Sequence, residues 1–420
     1  MSRSITRRYG WYVVGLLTAI NFFNYVDRLV IVTMYDDLRP IFHFGDAQIG
    51  ALWWAFFIVH GVTTLPLGWL SDRVDRRKIM GLGVIVWSLA TFGSAYAVGF
   101  LSMLVLRGAI GIGEAAYGPP ANALLCEVFP EKKSLVVGLF NGGMFAGACV
   151  GMAIGVQVGF PHGFQIVAVP GLVLGFAALS LRVSPGRTMP TASPRFSKIL
   201  KDAVRVLHVP TLRWMLPGAI LISFAAGGYT SWIVDFTVHF KGMTKEQAVP
   251  IYFFITLTGG GLGVVVAGWV ADRFVRWRAE GRALTMAVGF SAAVPFAILV
   301  VVIDHGVPYF ICGWFLLFFL PWYNGPMAAI IDDVVDDADA GTAQAAFVFC
   351  IHTMGTGLGG FALGLISRLY TLRHAFILPA IALAIAAFCS FMAARHVRAD
   401  MAARTARAVR EPEPVAAAAS

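Results

Sequence analysis

Charge is scarce in this chain. Asp, Glu, Lys and Arg make up 13% of 420 residues, about half of what a soluble domain carries, so a water-soluble globular protein is excluded. Cysteine is sparse too. Cys126, Cys149, Cys312, Cys350 and Cys389 fall in or beside apolar segments with no CxxC spacing, so they read as reduced packing residues and imply no disulfide or zinc site. No P-loop is present, so ATP is not the energy source. The GTGLGG run at 355–360 fits GxGxxG, but no strand precedes it and it falls inside an apolar span, so dinucleotide binding is rejected. The basic start MSRSITRRYG is followed by an apolar run of spanning length without a small-residue cleavage site, which argues against a cleaved signal peptide. No cofactor or metal is implied. What the chain has in abundance is apolar surface: 58% hydrophobic residues and 33 Phe.

Twelve apolar stretches are long enough to span a bilayer: 11–34, 47–70, 79–98, 101–124, 134–158 and 164–183, then 213–239, 248–271, 284–303, 308–331, 342–366 and 374–394. The fold class expected is an all-α membrane protein, twelve helices in two sets of six. The divisions are an N-terminal bundle at 1–183, a linker at 184–211, a C-terminal bundle at 212–395 and a disordered tail at 396–420. Within the linker, FSKILKDAVRVL has the spacing of a short amphipathic helix lying on the membrane. With both termini placed in the cytoplasm, 25 of the 32 Lys and Arg fall on inside segments. Five (Arg39, Lys241, Lys245, Arg368, Arg373) fall outside. This positive-inside bias assigns the net charge of +9 to membrane orientation rather than to nucleic acid. It places a multi-pass protein in the inner membrane with both termini cytoplasmic.

The remaining two basic residues are Arg28 and Arg107, inside apolar helices, and they are matched by Asp27 and Glu114. Arg107 and Glu114 lie seven residues apart, two turns along one helix face. A charge in hydrocarbon costs at least about 2.5–3.5 kcal/mol, so such residues face a bundle interior or a wet cavity. Two carboxylates and two guanidiniums there make a site for an anion and a proton. Asp27 and Glu114 are the expected proton carriers, and Arg28 and Arg107 the expected anion contacts, since guanidinium forks bind carboxylate and phosphate bidentately. The alternative is an ion-pair network that only clamps helices 1 and 4. Adjacent residues point about 100° apart on a helix, so one of Asp27 and Arg28 can meet helix 4 while the other faces a cavity. Asp235, His60 and His352 are weaker cavity candidates. The Asp332, Asp333, Asp336, Asp337 and Asp339 run lacks calcium-loop spacing and reads as a solvated loop.

A repeat joins the halves. GWLSDRVDRRK from Gly68 and GWVADRFVRWR from Gly268 each close the second helix of their six. Helix 5 carries Gly143, Gly147, Gly151 and Gly155, and helix 11 carries Gly355, Gly359, Gly360 and Gly364, faces small enough for close helix approach. The first motif resembles the signature of the major facilitator superfamily, with Asp75 where that family has Gly. The resemblance implies a transporter whose two halves rock about a central site, not an enzyme. It also implies a gate in which Asp72 meets the N-terminus of helix 11 near Ala340 to Thr342, where the helix dipole favours an anion. Arg73, Arg76 and Arg77 complete that motif, and Asp272 and Arg273 repeat it.

NYVDR in helix 1 and RGAIGIGEAAYGPPANALLCEVF at 107–129, with SWIVDF, GGGLGVVVAGWVADR and GTAQAAFVFCIHTMG in helices 7, 8 and 11, are similar to the Spinster family, bacterial branch. That similarity implies that Asp27, Arg28, Arg107 and Glu114 line the cavity and couple protons to transport. It suggests a small-molecule or lipid substrate such as a lysolipid or sphingoid phosphate, carried by a monomer among membrane lipids. NYVDR and GEA…PP are similar also to sugar-acid symporters, which keeps a small organic anion open as substrate. A non-transporting receptor or scaffold of the same fold is the opposing class. Many Spinster-like chains have Arg before the GTA of helix 11, where this one has Ala340.

Overall fold

A computed structural model describes residues 6–71, 74–129, 133–182, 208–304 and 306–410. The described residues are almost wholly helical and contain no strand. Ten helical stretches are long and apolar enough to cross a membrane. Asp46–Ser71 and Arg76–Ser94 complete a set of twelve. The first half holds α1 (Arg7–Val30), α2 (Asp46–Ser71), α3 (Arg76–Ser94), α4 (Phe100–Ala115 continued by Gly118–Val128), α5 (Lys133–Val158) and α6 (His162–Leu179). The second holds α7 (Pro210–Lys241), α8 (Lys245–Ile255 continued to Val275), α9 (Gly281–Val302), α10 (Val307–Phe319 and Asn324–Val334), α11 (Asp337–Cys350 continued to Leu369) and α12 (Ile377–Arg410). Single π-turn stretches interrupt α8 at Thr256–Gly260 and α11 at Ile351–Gly357.

Two boundaries differ from expectation. α7 starts at Pro210, because proline at the first helical position lacks only a donor that would be orphaned anyway. The tail expected to be disordered from 396 instead continues α12 to Arg410. Its Ala-rich run has high helix propensity. Asp400 on this extension accepts the backbone N–H and the hydroxyl of Thr211 at the start of α7 (2.8 and 2.6 Å), tying the last helix to the first of its half. The amphipathic stretch expected in the linker lies outside the described residues, as do 411–420.

The glycine stripes do the same work in each half. A Cβ on Gly143, Gly147 or Gly151 would run into the backbone of Thr18, Phe22 or Val26, so α5 lies against α1. In α11, Gly355 and Gly359 meet Ile220 and Phe224 of α7 in the same manner. Gly360 and Gly364 look the other way as well, toward Trp53 and the Asp46 carbonyl of α2. α11 is thus packed on its own half and on the opposite one.

The two halves are joined most firmly at the end of the bundle remote from the chain termini. There Arg39, on the short helix Tyr35–Phe42, donates two hydrogen bonds to Asp235 of α7 (2.8 and 2.9 Å) and one to Asp46. Lys245 donates to the Thr33 carbonyl (2.9 Å) and pairs with Asp36 (3.0 Å). Ser367 of α11 donates to Asp46. α2 and α11 are in contact along most of their lengths, whereas α5 and α8 touch only slightly.

A branched side chain on the α5 stripe should force α1 outward and cost about 1–3 kcal/mol by overpacking. Gly151→Val is therefore expected to lower the melting temperature in detergent by several degrees, while Gly138→Val, where a Cβ meets nothing within 4 Å, leaves it unchanged. Equal melting temperatures for both variants would contradict this packing.

Candidate functional site

A polar cavity of ≈ 310 Å³ lies between the halves on the side of the termini. One face of α1 supplies Asn21, Asn24, Tyr25 and Arg28, spaced three and four residues apart so that they stack along one stripe. Glu114 comes from α4, and Asn141 and Met144 from α5. His60 and Thr64 come from α2, and Val348 and His352 from α11. Pro119, Asn122 and Asn141 are exposed at the rim nearer the termini.

The four buried charges divide into two pairs with different surroundings. Arg28 forms an ion pair with Oε2 of Glu114 across α1 and α4, on the cavity wall. Its guanidinium carbon also sits 4.6 Å from the Tyr25 ring and 5.0 Å from that of Phe56, which shield it from lipid. Asp27 is 2% exposed and lies behind the wall, accepting the hydroxyl of Thr91 on α3. The neighbour expected for the residue turned from the cavity was helix 4, and it is α3. Arg28 itself bridges cavity and α4, because its long side chain spans the distance that the aspartate cannot. Arg107 is 0% exposed and does not border the cavity. Its expected role as a direct anion contact is therefore not met in this geometry. It rests 5.4 Å from the Phe56 ring, its charge balanced at longer range by Asp27 and Glu114.

This cluster leaves several polar atoms buried without a partner: Oδ1 of Asp27, Oε1 of Glu114, Nε of Arg28 and all three nitrogens of Arg107. A dry core does not tolerate so many, since each costs roughly 1–3 kcal/mol or more for a charged group.

His60 and His352 both border the cavity, from opposite halves, with ring centroids 5.6 Å apart. Asp235 does not. It is held by Arg39 at the far end and serves the closure described above. With Asp36 and His239 it forms a cluster of metal-ligand type, but Arg39 and Lys245 already occupy both carboxylates. Arg39 and Lys245 were missed as functional residues. The signal was present, since they are two of only five basic residues on the sparsely charged side.

Of the gate residues, Asp72 and Arg73 lie outside the described residues. Arg76 pairs with Glu127 (2.6 Å), and Arg77 grips Asp75 and the Leu181 carbonyl. The Asp75 that replaces the family glycine is the N-cap of α3, accepting the Arg77 amide at 3.1 Å. Hydrogen bonds from Arg77 hold its carboxyl below the usual range. Asp272 is 73% exposed, 3.9 Å from Arg282, and Arg273 lies over the Trp277 ring. The acidic run is not a free loop. Asp332 and Asp333 lie in the last turn of α10 and Asp336 directly precedes α11, with Arg282 paired to Asp333 and Arg407 3.6 Å from Asp336.

Beside the polar cavity is a small apolar one of ≈ 100 Å³. It is lined by Leu29 of α1, Ala148 and Met152 of α5, Ile233 of α7 and Leu316 of α10, among others. Leu29 follows Arg28 in sequence, and Ala148 lies one turn beyond Met144, so the two cavities succeed each other along α1 and α5.

At the far end, burial pushes the Asp36 carboxyl up, but the hydrogen bond and charge of Lys245, with the charges of Arg39 and His239, together outweigh it and leave the group below its usual value. Its contribution to closure is fully present above the ordinary value, about 3.9, and is lost only as pH falls through the lowered one. Spin-label distances across the far ends of α1 and α7 should thus stay constant over about pH 5–8 as far as Asp36 is concerned. Arg39→Ala should broaden them toward longer values. Wild-type distances in that variant would show that the ion pairs do not hold the halves together.

The Major Facilitator Superfamily model matches residues 17–354. Protein spinster homolog 1 of Mus musculus is 26% identical over 392 residues, covering 86% of this chain and 74% of the relative. Protein spinster homolog 3 of Danio rerio is 26% identical over 390 residues, covering 87% and 78%. Among solved structures, a bacterial homolog to the human lysosomal transporter Spinster, in an inward-facing and unoccupied conformation, superposes with TM-score 0.79 at 21% identity. That match covers 94% of this chain and 99% of the other. A nucleoside transporter superposes with TM-score 0.74 at 14% identity, over 91% and 99%.

Proposed function

This chain belongs to the major facilitator superfamily, whose members are membrane transporters and not enzymes, and on that premise we propose that it couples a proton to the movement of an organic anion by alternating access. The observation that carries the proposal is the Arg28–Glu114 ion pair on the cavity wall, with Oε1 of Glu114 unpartnered. With both carboxylates ionised, Asp27, Glu114, Arg28 and Arg107 sum to zero. Protonating Glu114 releases Arg28, and an anion arriving on Arg28 restores neutrality. Empty and fully loaded states are both uncharged, so both can be enclosed. A state holding only the proton or only the anion carries a net charge into low dielectric, at a cost of several kcal/mol. Electroneutrality is the coupling. A dianionic phosphate needs a second proton, which in this reading Asp27 would take from behind the wall.

An amphipathic substrate, a lysolipid or sphingoid phosphate, is favoured over a sugar acid. Its head would sit at Arg28 and its chain in the neighbouring apolar cavity between Met152 of α5 and Ile233 of α7. The basic residues concentrate on the side of the termini, which supports cytoplasmic termini in an inner membrane. The cavity then opens inward, while Arg39, Asp235 and Lys245 close the outside. The exposed Asp272, with Asp72, is proposed to meet helix N-termini when the cytoplasmic side shuts. The protein is read as working as a monomer among membrane lipids.

Two measurements test this. In proteoliposomes, Glu114→Gln should abolish accumulation driven by a pH gradient yet leave substrate exchange measurable, because the amide keeps the size but cannot cycle a proton. Continued concentrative uptake by this variant would mean that the proton travels elsewhere. In a thermal-shift screen of lysophospholipids, sphingosine phosphate and hexuronates, a true ligand at 100 times its Kd adds about 2.7 kcal/mol of stability. A response to hexuronates alone would overturn the lipid reading and favour the small-anion one.

A further inference from the structure

The polar cavity is built almost entirely by one half of the molecule. Of its lining residues, fourteen come from the first half and two, Val348 and His352, from the second. A ligand shifts a two-state equilibrium only through contacts that differ between the states. A headgroup held by Arg28, Asn24 and Glu114 alone would make polar contacts with one rocking body only, leaving just the apolar contacts of the neighbouring cavity to reach the other. His352 is the one polar side chain that the second half offers to this cavity among the described residues. It sits in the π-turn stretch Ile351–Gly357 of α11, a widening of the helix that recurs at functional sites. Its ring stacks on Phe57 of α2 with centroids 5.8 Å apart, and meets His60 of α2 edge-on at 5.6 Å. The crossing is close, because Gly61 and Gly357 have no room for a Cβ against Thr353 and Phe57. Nδ1 of both histidines is buried without a hydrogen-bond partner.

Resting on the transport reading above, we propose that His352, paired with His60, is a substrate-binding contact that links the bound anion to the second half. The Arg28 fork takes two oxygens of the anion, and the imidazoles supply donors to a further oxygen from the opposite side. Substrate then bridges α1 of one half and α11 of the other, and this bridge transmits occupancy to the rocking motion.

The test uses the full-length protein in nanodiscs with lysophosphatidate and glucuronate as probes, reading affinity by calorimetry and the α4–α10 separation on the side of the termini by spin-label distances. For whichever probe binds the wild type, His352→Ala should weaken binding about tenfold or more, as loss of a hydrogen bond to a charged group does. It should also abolish the probe-induced change in separation, while leaving the distances without probe as in the wild type. His352→Asn, which keeps a donor, should recover part of both, and His60→Asn should show an intermediate loss. His352→Ala binding within twofold of wild type, with the full probe-induced change, would overturn the proposal. So would an equal loss in His352→Asn, which would point to ring packing alone. Binding of glucuronate and not lysophosphatidate would refute the lipid reading, and the histidine comparison then stands on glucuronate.

Discussion

The ion pair between Arg28 and Glu114 sets the terms for everything around it. Two opposite charges on different helices, facing a cavity in a low-dielectric body, are stable together and costly apart. Separating them leaves each charge unpaired in low dielectric, at a cost of several kcal/mol. The aromatic rings of Tyr25, Phe56 and Phe57 lie within 4.6 to 5.8 Å of the Arg28 guanidinium carbon and add cation–π attraction there. Asp27 and Arg107, one layer deeper, extend the field without meeting the cavity.

The scaffold holds this pair on the wall of a cavity between the two six-helix halves. Glycine stripes press α5 onto α1 and α11 onto α7, making each half a body that moves as a unit. α2 and α11 then lie across the interface, and their far ends are held by Arg39, Asp46, Asp235 and Ser367. Every one of those ties sits away from the cavity mouth. Those polar ties close the end remote from the termini, and apolar packing between α2 and α11, such as Trp54 stacked on Phe361, accompanies them across the interface.

Much of this was legible in one dimension. Helix number, the two-fold repeat, the glycine faces and the four intramembrane charges all follow from the rule that charge and bulk are excluded from hydrocarbon unless they serve a purpose. The basic asymmetry between the two sides is of the same kind. Asp235 shows where that reasoning stops. An intramembrane carboxylate was evident, but its partner Arg39 lies 196 residues away. A pairing across that separation leaves no local trace. The same holds for Thr91 beside Asp27, an ordinary residue in an ordinary span, and for the adjacency of His60 and His352.

Periodicity, hydropathy and charge placement are properties of neighbours along a helix, and they determined by themselves that this chain crosses the membrane in two related sets of six helices with ionisable groups at its centre. Tertiary packing alone decided which of those groups meets the cavity. Arg28 and Arg107 are indistinguishable as buried guanidiniums in sequence. They were separated only by the angle at which α1 and α4 face the opposite half, because a cavity is a relation between helices and is encoded in none of them singly.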